Sequence, residues 1–130
     1  MFKVVTNNPL VRGYWGSGEN DKYIHILWYG GGLDDVLVAA RDMVHLGWRL
    51  LNHPLSSSIK PNQTPYKTLI LAQGESLDFQ SLQVVEGAIA TVNKLGAFAG
   101  GNEQVLADLQ LIDLEVCKDI FQHIRRGVSV

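Results

Sequence analysis

The chain has 130 residues, of which 46% are hydrophobic and 18% charged, and its formal net charge is −2 at pH 7. This length and composition predict one globular domain, residues 1–130, and exclude a disordered or fibrous protein. The small negative charge argues against bulk attraction to nucleic acid or to an anionic membrane. A single cysteine, Cys117, cannot form an internal disulfide, which predicts a reducing, cytoplasmic environment.

The sequence also predicts that the protein does not enter a membrane. The N-terminal segment lacks the sustained apolar stretch and cleavage site that are typical of a secretory signal peptide. No stretch approaches the roughly eighteen consecutive apolar residues of a spanning helix.

The first elements are two short apolar runs separated by a loop. Residues 2–6 (FKVVT) and 23–29 (YIHILWY) are rich in β-branched and aromatic side chains, which predicts two strands. Residues 12–22 contain three glycines among polar side chains and are predicted to form a loop.

A strand–helix–strand unit follows. Residues 33–46 place apolar side chains at helical spacing and end before Gly47, which predicts a helix with a glycine stop. Residues 48–52 are predicted to be a third strand. Two strands joined through a helix run parallel when they share a sheet.

The second half predicts one more strand, residues 68–72, and two helices. The first helix covers residues 79–95, and a longer one runs from about residue 102 to 126. An apolar stripe on the last helix predicts a face packed on a sheet; it comprises Val105, Leu109, Ile112, Val116, Ile120 and Ile124. Together these elements predict an α/β fold: a small, mainly parallel sheet of about four strands with helices packed on it.

Charge is unevenly distributed around the loop that precedes residue 68. Between Asp42 and Glu75 there is no acidic residue, whereas Arg49, Lys60 and Lys67 lie inside this window. The window therefore carries +3, and the other 8 of the 11 cations against all 13 acids leave −5 for the rest. A positive segment in an acidic chain favours an anionic ligand or an acidic partner, and the alternative is that these cations are simply solvated.

The same loop region predicts the position of a site. The first and third predicted strands both run into asparagine, one residue and proline, at residues 7–9 and 52–54. Because ligands of open parallel sheets bind beyond the carboxyl ends of the strands, we expect these turns and the loop to share one rim. The candidate ligand-binding residues are Thr6, Asn7, Asn8, Asn52, His53, Ser56, Ser58, Lys60, Thr64 and Lys67.

These side chains favour binding over catalysis. They are rich in hydrogen-bond donors and poor in carboxylates, which suits recognition of a phosphate or carboxylate better than hydrolysis. His53 is the candidate for acid–base work, and the alternative is a histidine that bonds the backbone of its own turn. The sequence contains no GxSxG, HExxH or cysteine pair, so no metal or other cofactor is expected. Cys117 is interpreted as a buried, inert thiol.

Three segments carry a resemblance to a known family. They are TNNP at residues 6–9, LLNHPLSSSIKP at 50–61 and QTPYKTLIL at 63–71. They resemble the GrdX family, small proteins encoded alongside the glycine reductase system of amino-acid-fermenting anaerobic bacteria. The segment rich in glycine and tryptophan, residues 13–32, departs from the family pattern, as does Ser57. The resemblance implies a cytoplasmic accessory protein with glycine reductase components as partners, and it supplies no mechanism.

Two functional hypotheses follow. The first is a non-enzymatic accessory or binding protein that holds an anionic small molecule or a partner segment at the rim. The alternative is a small transferase or hydrolase that acts on a phosphorylated or carboxylated metabolite, with His53 as base and Lys60 stabilising negative charge. The apolar content also permits a homodimer.

Overall fold

The computed structural model describes residues 1–16, 23–55 and 59–125. Within these residues it contains four strands and four α-helices. The strands are β1 (Phe2–Thr6), β2 (Ile24–Trp28), β3 (Arg49–Leu50) and β4 (Thr68–Ala72). The helices are α1 (Pro9–Trp15), α2 (Leu33–His45), α3 (Phe79–Leu95) and α4 (Glu103–Arg125), and a short 3-10 turn covers Pro61–Gln63.

The four strands form one mixed sheet in the order β2-β1-β4-β3. Strand β1 pairs with β2 in parallel, whereas β4 pairs antiparallel with both β1 and β3. The α/β fold with four strands is confirmed, but the prediction of a mainly parallel sheet is wrong. The described residues between β3 and β4, 51–55 and 59–67, contain no crossover helix, and β4 begins at the end of the sheet where β3 finishes, so it runs in the opposite direction to β3.

Alternate residues of the two central strands face two separate cores. Val5, Leu69 and Leu71 pack against α2 and α3 on one face of the sheet. Val4 and Ile70 pack against α1 and α4 on the other face. All five side chains are fully buried, and burial of each is worth about 1.5–3 kcal/mol. The molecule is therefore a sheet covered by helices on both faces.

Helix α1 occupies part of the predicted first loop, residues 12–22, and this part of the prediction is wrong. Asn8 caps the helix, because its Oδ1 accepts the N–H of Leu10 at 3.0 Å. Pro9 sits at the first helical position, where a missing N–H does no harm. Burial of Val11 and Trp15 then holds the short helix on the sheet. Residues 17–22 lie outside the described residues.

The other helices lie where the sequence predicts them. Helix α2 ends before Gly47, whose φ of 99° is the left-handed conformation that favours glycine. Asp78 caps α3, and Asn102 Oδ1 accepts the N–H of Val105 at the start of α4. Among the described helices, none combines the length and the apolar character needed to cross a membrane.

The buried face of α4 differs from the predicted apolar stripe. Leu114 and Phe121 are buried against the sheet, whereas Ile112 and Val116 of the stripe are exposed. Polar contacts explain the rotation of the helix: Asn8 donates hydrogen bonds to α4 at Gln110 and Asp113. The spacing of apolar residues in the sequence carries no information about these hydrogen bonds.

Strand directions decide where a site forms. Strands β1 and β3 both run antiparallel to β4, and β2 runs parallel to β1. The carboxyl ends of β1, β2 and β3 therefore lie at the same rim as the beginning of β4. Both Asn-x-Pro turns and residues 64–67 consequently meet at this rim.

Candidate functional site

Asn7 ties three segments of the rim together. Its Nδ2 donates to the carbonyl oxygens of Gly31 at 3.1 Å and Pro65 at 2.7 Å. Its Oδ1 accepts the backbone N–H of Lys67 at 2.9 Å. The amide group thus holds the segment before β4 against the end of β1 and the turn after β2.

Asn52 holds the other side of the same segment. Its Nδ2 donates to the carbonyl oxygen of Thr68 at 3.1 Å, and its Oδ1 accepts the N–H of Ile70 at 2.8 Å. This side chain continues the β3–β4 pairing after the short strand β3 has ended. We refer to Asn7 and Asn52 together as the clamp asparagines, because each fixes the backbone around Lys67 through two or more hydrogen bonds.

A chain of hydrogen bonds connects the rim to α4. The N–H of Asn8 donates to Thr6 Oγ1 at 3.0 Å, and Thr6 Oγ1 lies 2.7 Å from Thr68 Oγ1. The Thr68 hydroxyl donates to Asp113 Oδ2 at 2.6 Å, so it accepts the proton of the Thr6 hydroxyl. Asn8 Nδ2 donates to the same carboxylate oxygen at 2.9 Å and to the carbonyl oxygen of Gln110 at 2.9 Å. The chain fixes Asp113 at the rim.

Lys67 is buried at the centre of this arrangement. Only 9% of its surface is exposed, and none of the ion pairs between described residues includes it. Its hydrogen bonds to described residues are made by its backbone. Burial lowers the pKa of Lys67, while the nearby Asp113 and Cys117 act in the opposite direction. The geometry therefore presents an ammonium group that lacks a direct counter-ion among the described residues.

A small cavity of about 30 Å³ lies between Lys67 and α4. A single water molecule needs roughly 10–15 Å³, so this space holds two or three waters or a small anion. Its polar lining includes Asn52, His53, Lys67 and Asp113, and its apolar lining includes Ile112 and Val116. We call this space the Lys67 cavity.

Cys117 lines the Lys67 cavity as a protonated thiol. It is buried, and burial together with the charge of Asp113 raises its pKa, against smaller opposing effects of Thr68 and Lys67. A thiol that keeps its proton is a poor nucleophile. The interpretation of Cys117 as a buried, inert thiol is therefore supported by its surroundings.

His53 bonds to its own turn, at the exposed edge of the Lys67 cavity. Its Nδ1 accepts the N–H of Leu55 at 3.0 Å. The ring proton of neutral His53 is therefore on Nε2, which makes this nitrogen a donor rather than a proton acceptor.

The remaining predicted site residues are distributed unevenly. Thr64 is buried and lines the Lys67 cavity, and its Oγ1 accepts the N–H of Tyr66 at 3.2 Å. Lys60 is exposed, precedes the 3-10 turn and is not among the residues that line the cavity. Ser56 and Ser58 lie outside the described residues.

A second, more open cleft of about 440 Å³ shares Asn7 and Tyr66 with the rim. Its walls include the aromatic rings of Trp28, Tyr66 and Phe98, and its floor includes backbone of the glycines at residues 30–31 and 100–101. The described residues that line it carry no charge. Flat, apolar walls of this kind suit an uncharged, planar group.

Sequence reasoning missed Asp113, Tyr66 and the aromatic cleft. Asp113 lies 46 positions after Lys67 on α4 and reaches the rim only through the fold. Tyr66 lies within the TPYK segment, between Thr64 and Lys67. Its hydroxyl accepts a hydrogen bond from Gln110 Nε2 at 2.7 Å. Within the described parts of the chain, no group of three or more His, Cys, Asp or Glu side chains is arranged to hold a metal ion.

Comparison with known proteins identifies a family. No curated protein and no solved structure matches the chain. A family model described as GrdX-like protein matches residues 3–122, which is most of the sequence. This match confirms the resemblance found in the sequence, and the chain belongs to the GrdX-like family.

Proposed function

We propose that this protein is a cytoplasmic accessory protein that binds a small anionic molecule at Lys67, in a role linked to glycine reductase and amino-acid fermentation. One observation carries the binding proposal: a lysine that is nine-tenths buried lines a cavity and has no ion-pair partner among the described residues. A buried ammonium is unfavourable without a partner, and an anion in the cavity supplies one.

The neighbouring groups favour an anion with few atoms. The space holds two or three waters, which matches a carboxylate or the terminal oxygens of a phosphate. In the tautomer set by its turn, the Nε2–H of His53 is a second donor for such an anion. Asp113 opposes a second negative charge, but its Oδ2 is already engaged by Thr68 and Asn8.

The aromatic cleft offers room for the rest of a larger ligand, since Tyr66 lines both spaces. A ligand with a charged end and a flat, uncharged portion would use both. A comparison of small anions with nucleotides as ligands therefore distinguishes occupation of the Lys67 cavity alone from occupation of both spaces.

The test is a thermal-shift series with inorganic phosphate, acetate, amino acids, sugar phosphates and nucleotides. We expect at least one anion to raise the Tm of the wild-type protein and of Lys60→Met, and to leave Lys67→Met unchanged. Lys60→Met is the matched control, because Lys60 is an exposed cation of the same loop. If no anion raises the Tm, or if Lys67→Met responds equally, the anion site is refuted.

The link to glycine reductase rests on the family and is tested separately. The protein, carrying an affinity tag, is used to capture purified glycine reductase components. We expect retention of at least one component, and retention of none under all salt conditions contradicts the accessory role.

The catalytic alternative, a transferase or hydrolase with His53 as base, has less structural support. A base needs an unprotonated ring nitrogen directed at the substrate, and Nδ1 of His53 is occupied by its own turn. Lys60, proposed to stabilise charge in that mechanism, does not line the Lys67 cavity. If any turnover is found, the activity of His53→Ala tests whether His53 is the catalytic base. Unchanged activity in this variant would exclude that role.

A further inference from the structure

Lys67 has a chemical property that anion binding does not use. A lysine amine that has lost its proton carries a free lone pair and is a nucleophile, whereas an exposed lysine is protonated at neutral pH. Burial shifts Lys67 towards the unprotonated amine. Lys67 also lines a cavity that admits a small molecule.

We propose that the Lys67 amine forms a reversible imine with a small aldehyde in the Lys67 cavity. The geometry that carries this proposal is a lysine residue that is nine-tenths buried, a space of about 30 Å³ beside it and a fixed carboxylate on the helix that lines the same space. The inference goes beyond the proposed anion binding, because it requires a covalent bond to carbon.

The chemical step needs no oxidant or reductant. The Nζ lone pair attacks the carbonyl carbon, a C–N bond forms, and the π electrons of the C=O bond move to oxygen. One proton passes from nitrogen to that oxygen and gives a carbinolamine. A second proton converts the hydroxyl into water, which leaves with the C–O bonding pair while the nitrogen lone pair forms C=N. Amine, aldehyde and one proton thus become iminium and water.

The groups around Lys67 suit this product. The iminium nitrogen is positively charged, and Asp113, which Thr68 and Asn8 hold in place, lines the same cavity and favours a positive charge on Lys67 without forming a direct ion pair. The titratable groups that share the cavity lining with Asp113 are His53, Tyr66 and Cys117. The exposed side chains of Ile112 and Val116 on α4 add apolar surface to the cavity lining. The volume restricts the aldehyde to about two or three carbon atoms.

Reductive trapping tests the proposal on the intact protein. Acetaldehyde and sodium cyanoborohydride are added at pH 7, and peptide mass spectrometry measures the ethylated fraction of each lysine. We expect Lys67 to be modified at least tenfold faster than Lys60 and Lys94, which are exposed and serve as internal controls. The preference should shrink above pH 10.5, where exposed lysines also lose their protons.

Variants and a second aldehyde separate this proposal from anion binding. Lys67→Arg keeps a cation but has no primary amine, so it should bind anions and lose the fast trapping. Glyoxylate, an aldehyde that carries a carboxylate, should show a larger preference for Lys67 over Lys60 than acetaldehyde does if the cavity also binds anions. Fast trapping without any anion-induced thermal shift would leave the imine proposal standing and refute the anion site. Equal labelling of Lys67 and Lys60 at pH 7, or no labelling of Lys67, would overturn the imine proposal.

Discussion

The two Asn-x-Pro turns share a sequence pattern but place their middle residues in different environments. In the first, Asn8 is fully buried, caps α1 and binds Asp113 of α4. In the second, His53 is exposed and bonds only within its own turn among the described residues. The first asparagine of each turn has the same task, since Asn7 and Asn52 both bind backbone of residues 65–70. In both turns the first asparagine therefore acts as a clamp asparagine. The middle residue determines whether the turn packs against the protein interior or faces the site.

Removing the clamp asparagine of the buried turn should have the largest effect. Asn7→Ala leaves the carbonyl oxygens of Gly31 and Pro65 and the N–H of Lys67 without their partner. We expect a loss of about 3 kcal/mol in the free energy of unfolding, measured by urea denaturation. Asn7→Asp is the companion variant, because it keeps the acceptor for the Lys67 N–H while it replaces the two donors with a charged carboxylate oxygen. A loss below about 1 kcal/mol for Asn7→Ala would contradict the clamp.

The clamp asparagine of the exposed turn should contribute less. Asn52→Ala removes two hydrogen bonds at the edge strand, to Thr68 and Ile70. We expect a loss of about 1.5 kcal/mol by the same measurement. Anion binding should weaken as well, because Asn52 lines the Lys67 cavity. If Asn52→Ala lost more unfolding free energy than Asn7→Ala, the exposed turn would contribute more to stability than the buried turn, contrary to this account.

Replacing Lys67 should stabilise the folded protein in the absence of ligand. Lys67→Met removes a buried ammonium and keeps an unbranched apolar side chain, so we expect a gain on the order of 1 kcal/mol at neutral pH. The wild-type protein and Lys67→Met share their other titratable groups, including Cys117. The contributions of these groups to the difference in the free energy of unfolding therefore cancel to first order. A destabilised Lys67→Met variant would indicate that the ammonium has a strong partner.

The gain from Lys67→Met should depend on pH in a defined direction. Because burial lowers the pKa of Lys67, the unfolded chain binds more protons than the folded chain between this lowered pKa and 10.5. The free energy of unfolding of the wild-type protein therefore gains a contribution from Lys67 as pH rises through this range. The advantage of Lys67→Met is largest at the lower end of the range and shrinks towards pH 10.5. Urea denaturation of the wild-type protein and of Lys67→Met at several pH values measures this difference in stability.

The exposed middle residue should have the smallest effect on stability. His53→Ala removes one hydrogen bond at the surface, to Leu55, and we expect less than about 0.5 kcal/mol of change. Anion affinity should fall a fewfold if His53 Nε2–H contacts the ligand. His53→Asn is the control, since its side chain can still accept the N–H of the turn and donate elsewhere.

Much of the fold could be predicted because the relevant signals are local. The helical spacing of residues 33–46, the glycine stop at Gly47 and the cap of α3 depend on neighbours in sequence. Helix α1 was missed because an Asn-Pro pair is compatible with either a turn or a capped helix start. The direction of β4 was missed because it depends on which strands are neighbours, and periodicity carries no information on pairing.

The rim of the candidate site could be predicted, but its interior could not. The repeated Asn-x-Pro pattern and the acid-free window indicated the region around Lys67, where the two turns meet in the fold. The sequence did not show that Asn7, Asn8 and Asn52 use their amides on backbone and on α4 rather than on a ligand. It also suggested an anion site without acids, whereas the fold brings Asp113 to the Lys67 cavity. Contacts over such sequence separations are set by tertiary packing.

The most direct test of the central claim is an NMR titration of the Lys67 ε-ammonium, with and without inorganic phosphate. The claim is that the clamp asparagines hold Lys67 in a small cavity where no described residue forms an ion pair with it, so that an added anion supplies its direct counter-ion. We predict that Lys67 loses its proton below the ordinary lysine pKa of 10.5, because of its burial, and that phosphate moves its midpoint to higher pH. A Lys67 midpoint at the ordinary value, which phosphate leaves unchanged, would contradict the account.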